Sequence, residues 1–139
     1  MKFNTKGFND AYVVVTTCEE YRRNYHFKPD KEEFPYPKVG TVLDEDKSVK
    51  WNREEVERLR TAYENEVKNR QKEFYDNVNA LEERAKELLA KEYGFSKKET
   101  DIIWAKANED GHAYGIVEVY NHFVDLADMY EQLNETHER

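Results

Sequence analysis

Between Trp51 and Tyr93 the chain contains neither proline nor glycine, and that uninterrupted stretch limits the possible folds more than any other feature. A helix of roughly forty residues, rising about 1.5 Å per residue, extends about 60 Å, several times the usual three or four turns. Its start is marked locally. Asn52 reads as the N-cap, Glu55 completes a capping box, and Trp51 and Val56 are spaced as a hydrophobic staple. This predicts a helix beginning at Arg53, a largely buried Trp51, and a cost of about 1 kcal/mol for Asn52→Ala through the lost cap. Apolar side chains recur by threes and fours at Val56, Leu59, Tyr63, Val67, Phe74, Val78, Leu81, Ala85 and Leu88. They form a single buried stripe, interrupted once by the polar run from Lys68 to Glu73, so each half of the helix is expected to have its own core.

The segments on either side read differently. Ala11-Tyr12-Val13-Val14-Val15-Thr16-Thr17 is dense in β-branched and aromatic residues and predicts a strand; Glu20 to Phe27 is either a second strand or a short helix. Pro29, Pro35 and Pro37 impose an extended passage, and Thr41-Val42-Leu43 reads as one more short strand before the turn Asp44–Ser48. Beyond the long helix, Gly94 is placed to cap its C-terminus, and Ser96 with Glu99 forms a capping box for a second helix. Gly111 either stops that helix or weakens it, and a last helix covers roughly Ala113 to Leu133. Gly111 and Gly115, four apart, leave room for close approach of another backbone. The expected architecture is a single α+β domain over residues 1–139, mostly α. A small N-terminal β element in residues 1–50 packs on the long helix of residues 51–93, followed by a helical hairpin in residues 95–134.

The last helix carries Val117, Val119, Val124, Leu126, Met129 and Leu133 beside its main stripe of Ile116, Tyr120, Phe123, Ala127 and Tyr130. That band is too wide for one helix contact and should be buried on two sides, by the long helix and by either the second helix or a second copy of the chain, and a homodimer is expected to cover part of it.

Composition narrows the function. Apolar residues make up 38% and charged residues 37% of the chain, with a net charge of −8. Residues 1–50 hold nine acidic and nine basic side chains, residues 51–93 eleven and nine, and residues 94–139 ten and four. Beyond Ala107 only Arg139 is basic, against Glu109, Asp110, Glu118, Asp125, Asp128, Glu131, Glu135 and Glu138. Such a surface repels phosphate and disfavours direct nucleic-acid binding, while it attracts a basic protein. No apolar run is long enough to span a bilayer, and the lead Met1-Lys2-Phe3-Asn4-Thr5-Lys6 lacks the apolar core of a signal peptide. With the single cysteine, Cys18, this predicts a protein of the reducing cytoplasm with no membrane partner.

Catalytic signatures are sparse. The sequence has no Gly-rich phosphate loop, paired-cysteine motif, His-Glu-x-x-His or Gly-x-Ser-x-Gly. Glu118, His122 and Asp125 share a helix face at metal-ligand spacing but lack a fourth ligand, so a solvated stripe is the expected reading. Asp44, Glu45 and Lys47 echo the acid-x-Lys element of metal-dependent nucleases and read better as the turn into the helix. The run Tyr21-Arg22-Arg23-Asn24-Tyr25 mixes bases and aromatics, as RNA-stacking surfaces do, but two arginines are a thin basis. No catalytic residue, metal or cofactor is expected.

The run from Phe34 through Pro35-Tyr36-Pro37-Lys38-Val39-Gly40 to Trp51-Asn52-Arg53-Glu54-Glu55-Val56 resembles small uncharacterised accessory proteins of phages and prophages of Gram-positive bacteria. Ile103-Trp104-Ala105-Lys106-Ala107 and Glu109-Asp110-Gly111-His112-Ala113-Tyr114-Gly115 resemble their second shared block, and the similarity spans about residues 34 to 130. The resemblance implies an anti-defence role, including anti-CRISPR proteins that occupy the basic channels of RNA-guided nucleases. It leads to a non-enzymatic inhibitor whose Glu118, Asp125, Asp128 and Glu131 meet a basic host protein in the host cytoplasm. The competing class is a helical structural or assembly protein that dimerises or bridges larger components.

Overall fold

The computed structural model describes residues 4–137, with side chains described to residue 131. Met1, Lys2, Phe3 and the side chains of Leu133, Glu135, Glu138 and Arg139 lie outside the described residues. The order is α1 (Ala11–Asn24), α2 (Val49–Tyr93), α3 (Lys97–Gly111), a 3-10 turn (His112–Tyr114) and α4 (Ile116–His137). Two compact units divide the chain: Met1–Asn24 with Asp76–Arg139, and Tyr25–Tyr75. The boundary within α2 falls just after the polar run Lys68–Glu73.

The α+β expectation is corrected: among the described residues there is no strand, and every element is helical. The segment expected as a strand opens α1. Asp10 caps it, its Oδ1 accepting from the N–H of Tyr12 at 2.8 Å and of Val13 at 3.4 Å. Ala11, Val14, Val15 and Cys18 are buried at spacings of three, one and three, a helical stripe, while Tyr12 and Val13 are exposed. Burial of that stripe outweighs the modest strand preference of valine. Arg22 and Arg23 in the last turn suit the helix dipole.

In the first unit α4 packs against α1 and α3. Ile116, Val119, Phe123 and Ala127 of α4 are buried, with Leu81, Ala85 and Leu89 of α2 and Trp104 and Ala107 of α3. Leu89 rather than Leu88 takes the core position. Phe123 meets Trp104 at 6.0 Å and Tyr93 at 6.2 Å between ring centroids. The end of α2 is a Schellman turn: Gly94 sits at φ +72°, and the N–H of Phe95 reaches the carbonyl of Ala90 at 2.9 Å. The Ser96 and Glu99 capping box forms as read. Gly111 ends α3, and a Cβ there would lie 3.0 Å from backbone atoms of Glu118 and Val119, so the close approach is to the chain's own next helix.

In the second unit an irregular segment returns along α2 and is clamped at three levels. Tyr25 and Phe27 close on Phe74 at 5.2 and 4.7 Å, and the Tyr25 hydroxyl donates to the Arg70 carbonyl at 2.8 Å. Tyr36 lies 4.5 Å from the Tyr63 ring and 4.2 Å beneath the Arg60 guanidinium, which also donates to the Pro37 carbonyl at 2.8 Å. The third clamp is Asn52. Its Oδ1 accepts from the N–H groups of Leu43 and Asp44 at 2.7 and 3.0 Å, and its Nδ2 donates to the Asp44 carbonyl at 3.0 Å.

Asn52 is therefore not the N-cap. The helix starts at Val49 rather than Arg53, and Ser48 Oγ accepts from the N–H of Trp51 at 3.0 Å. Trp51, expected to be largely buried, is 37% exposed, with the Lys47 ammonium 5.8 Å from its ring centroid. Thr41-Val42-Leu43 is not a strand. A turn precedes it, in which Thr41 N–H bonds the Lys38 carbonyl at 3.1 Å and Gly40 takes φ +89°.

Candidate functional site

Glu118, Asp125 and Asp128 of the acidic strip lie on the side of α4 away from its buried residues, and Glu131 stands toward the edge of the core face. Glu118 is half-exposed; Asp125, Asp128 and Glu131 are exposed. At 100° per residue, Glu118 and Asp125 nearly superimpose, and Asp128 and Glu131 step progressively around the helix. Two of the four also make contacts within the first unit. Glu118 lies 3.9 Å from His122 Nε2, and Asp128 Oδ1 accepts from the Tyr93 hydroxyl at 3.3 Å. Burial first, and then the Asp128 charge, push the Tyr93 hydroxyl above its ordinary range. Asp125 and Glu131 are exposed side chains of α4.

The broad apolar band of α4 packs against two helices of the first unit. α1 and α3 take two of its sides, which leaves Met129 and Tyr130 exposed near its end. Tyr130 still donates to Glu99 Oε2 at 3.1 Å, and Tyr12 of α1 meets Tyr120 at 5.6 Å.

Among the described residues no group of three His, Cys, Asp or Glu is placed to hold a metal ion. Glu118 and His122 approach each other, but Asp125 does not complete a site with them. Asp44, Glu45 and Lys47 form the turn into α2: Asp44 Oδ1 accepts from Asp46 N–H at 2.9 Å, and the Asp44 carbonyl accepts from Lys47 N–H at 3.2 Å. Cys18 is fully buried, and burial, followed by the nearby Glu82 charge, pushes its thiol up to about 12. It is a packing residue with little thiolate to react. Tyr21 accepts at its hydroxyl from Asn77 Nδ2 at 2.9 Å, so this member of the basic-aromatic run is spent on packing.

Sequence reasoning missed a second surface. A cavity of about 780 Å³ opens within the Tyr25–Tyr75 unit, between the turn at Val39–Val42 and the first four turns of α2. Val39, Val42, Val49 and Val56 supply its apolar lining. The volume falls in the range of ligand and docking pockets. The signal in the sequence was slight: Val39, Val42 and Val49 fall outside the helical repeat that begins at Val56.

Among the described residues no helix is long and apolar enough to cross a membrane. Neither a curated protein nor a solved structure matches this chain. Residues 19–131 match a family described as "Family of unknown function (DUF8546)". The match runs from within α1 to within α4 and takes in both units, so the chain belongs to the DUF8546 family.

Proposed function

We propose that this chain is a non-enzymatic binding protein whose acidic α4 surface docks on the basic, nucleic-acid-contacting surface of a host protein, an RNA-guided nuclease in the host cytoplasm. The observation that supports it most is the strip itself: Asp125 and Asp128 are exposed on a helix whose opposite face is engaged in the core. The charge follows the division into units. The Met1–Asn24 and Asp76–Arg139 unit holds eighteen acidic and eleven basic side chains, whereas Tyr25–Tyr75 holds twelve and eleven. A concentrated negative field of this kind steers association with a basic partner and fixes orientation more than it adds raw affinity. The resemblance to phage accessory proteins supplies the partner class.

The test uses purified type II nucleases in cleavage assays with the wild-type chain and with Glu118→Lys, Asp125→Lys, Asp128→Lys and Glu131→Lys combined. Inhibition by the wild type is expected to weaken as salt rises and to be lost on reversal. No inhibition across a broad panel removes the nuclease as partner; inhibition that survives reversal moves the interface off α4.

A further inference from the structure

The valine-lined groove lies wholly within Tyr25–Tyr75 and has its own logic, independent of the acidic strip. Its floor is one face of α2, where Val49, Arg53, Val56 and Arg60 succeed one another at helical spacing. Val39, Val42 and Val49 are 81%, 63% and 75% exposed, although each is a β-branched apolar side chain that gains from leaving water. An apolar patch rimmed by charge marks an interaction surface.

The rim indicates what covers it. Glu45, Glu57 and Glu64 line the groove together with Lys47, Arg53 and Arg60, three charges of each sign. A two-fold contact sets a patch against itself, so a patch of one sign repels its copy and a balanced one does not. The acidic first unit fails that requirement and this groove meets it. Three of the six charges are already engaged locally. Arg60 and Glu64 bind Tyr36, and Lys47 sits over Trp51. Arg53 and Glu57 have no ion-pair partner among the described residues, and they stand one turn apart on the groove face.

We infer that the occupant of this groove is a second copy of the chain. Two copies pair the first halves of α2 antiparallel across a two-fold axis near residue 55. The valines are covered, and Arg53 of each copy faces Glu57 of the partner subunit. This relocates the homodimer contact that the breadth of α4 suggested to a face that the fold leaves open.

Sedimentation equilibrium from roughly 1 µM to 1 mM brackets a contact of this size. The wild type is expected to move from 16.7 kDa toward twice that mass with concentration. Val42→Glu with Val49→Glu, both on exposed side chains, is expected to keep the wild-type circular dichroism and melting while weakening dimerisation at least about tenfold. Arg53→Glu alone and Glu57→Arg alone are expected to weaken it, and the two combined to restore it to within about threefold. A chain that stays monomeric throughout overturns the inference and leaves the groove to another protein. So does a dimer that is indifferent to the two valine changes, which would put the contact on another face. A charge-swapped double variant no stronger than the singles would overturn the antiparallel pairing.

Discussion

The two halves of α2 are one unbroken helix held in two different ways. From Asp76 onward, Leu81, Ala85 and Leu89 lose all contact with water against other helices. Before Tyr75, only Val56 and Phe74 among its apolar side chains are buried, and a loop is tied down by hydrogen bonds and ring contacts from Tyr25, Tyr36 and Asn52. Apolar burial is cooperative, since each side chain shares neighbours with the next. A polar clamp acts at its own level and is worth about 0.5–1.5 kcal/mol net. The first unit should therefore unfold as a block, and the second should open locally at lower free energy.

The sharpest way to break that contrast is to empty the helical core. Phe123→Ala is expected to cost about 3–5 kcal/mol in urea unfolding, because its ring is fully buried between Trp104 and Tyr93. Asn52→Ala strips partners from the N–H groups of Leu43 and Asp44 and is expected to cost about 1–3 kcal/mol, more than a lost cap. Hydrogen exchange should show its effect at residues 43 and 44 while the amides around Leu81 stay protected. If exchange accelerates equally in both units, the local character of the clamps is wrong.

Smaller effects refine the picture of the first unit. Ser96→Ala removes the N-cap of α3 and should lower stability by about 1 kcal/mol, read by thermal melting. The same cap makes a pH prediction. Hydrogen bonds from the Ser96 backbone, the Ser96 hydroxyl and Tyr130 hold the Glu99 carboxyl below its ordinary range. A carboxyl depressed by folding contributes stability that is complete above its unfolded pKa and is lost as pH falls through the folded one. Glu99→Gln should therefore melt lower than the wild type at neutral pH, with the difference shrinking in acid. The smallest effect belongs to the strip: Asp125→Lys should change stability by no more than about 0.5 kcal/mol, since its side chain is exposed on α4.

How much was legible follows the range of the interactions involved. The long helix, the glycine stop at Gly94 and the capping box at Ser96 and Glu99 all depend on groups within five residues of one another, and all appear in the structure. The sequence also contained the helical repeat of Ala11, Val14, Val15 and Cys18, but strand propensity masked it, because five β-branched residues in a row weigh against helix when taken without a core. Of the candidate strip, the shared side of Glu118, Asp125 and Asp128 was readable from spacing alone. That Asp128 also accepts from Tyr93, 35 residues away, was not.

The sequence by itself determined the stop of α2 at Gly94 and the start of α3 at Ser96, because a cap or a positive-φ glycine acts on its own turn. Only the tertiary structure decided that Asn52, readable locally as a cap, faces a loop eight and nine residues back, and that three valines remain in water beside α2. Whether a side chain is buried depends on which distant segments arrive to cover it, and nothing within a turn or two of the chain carries that information.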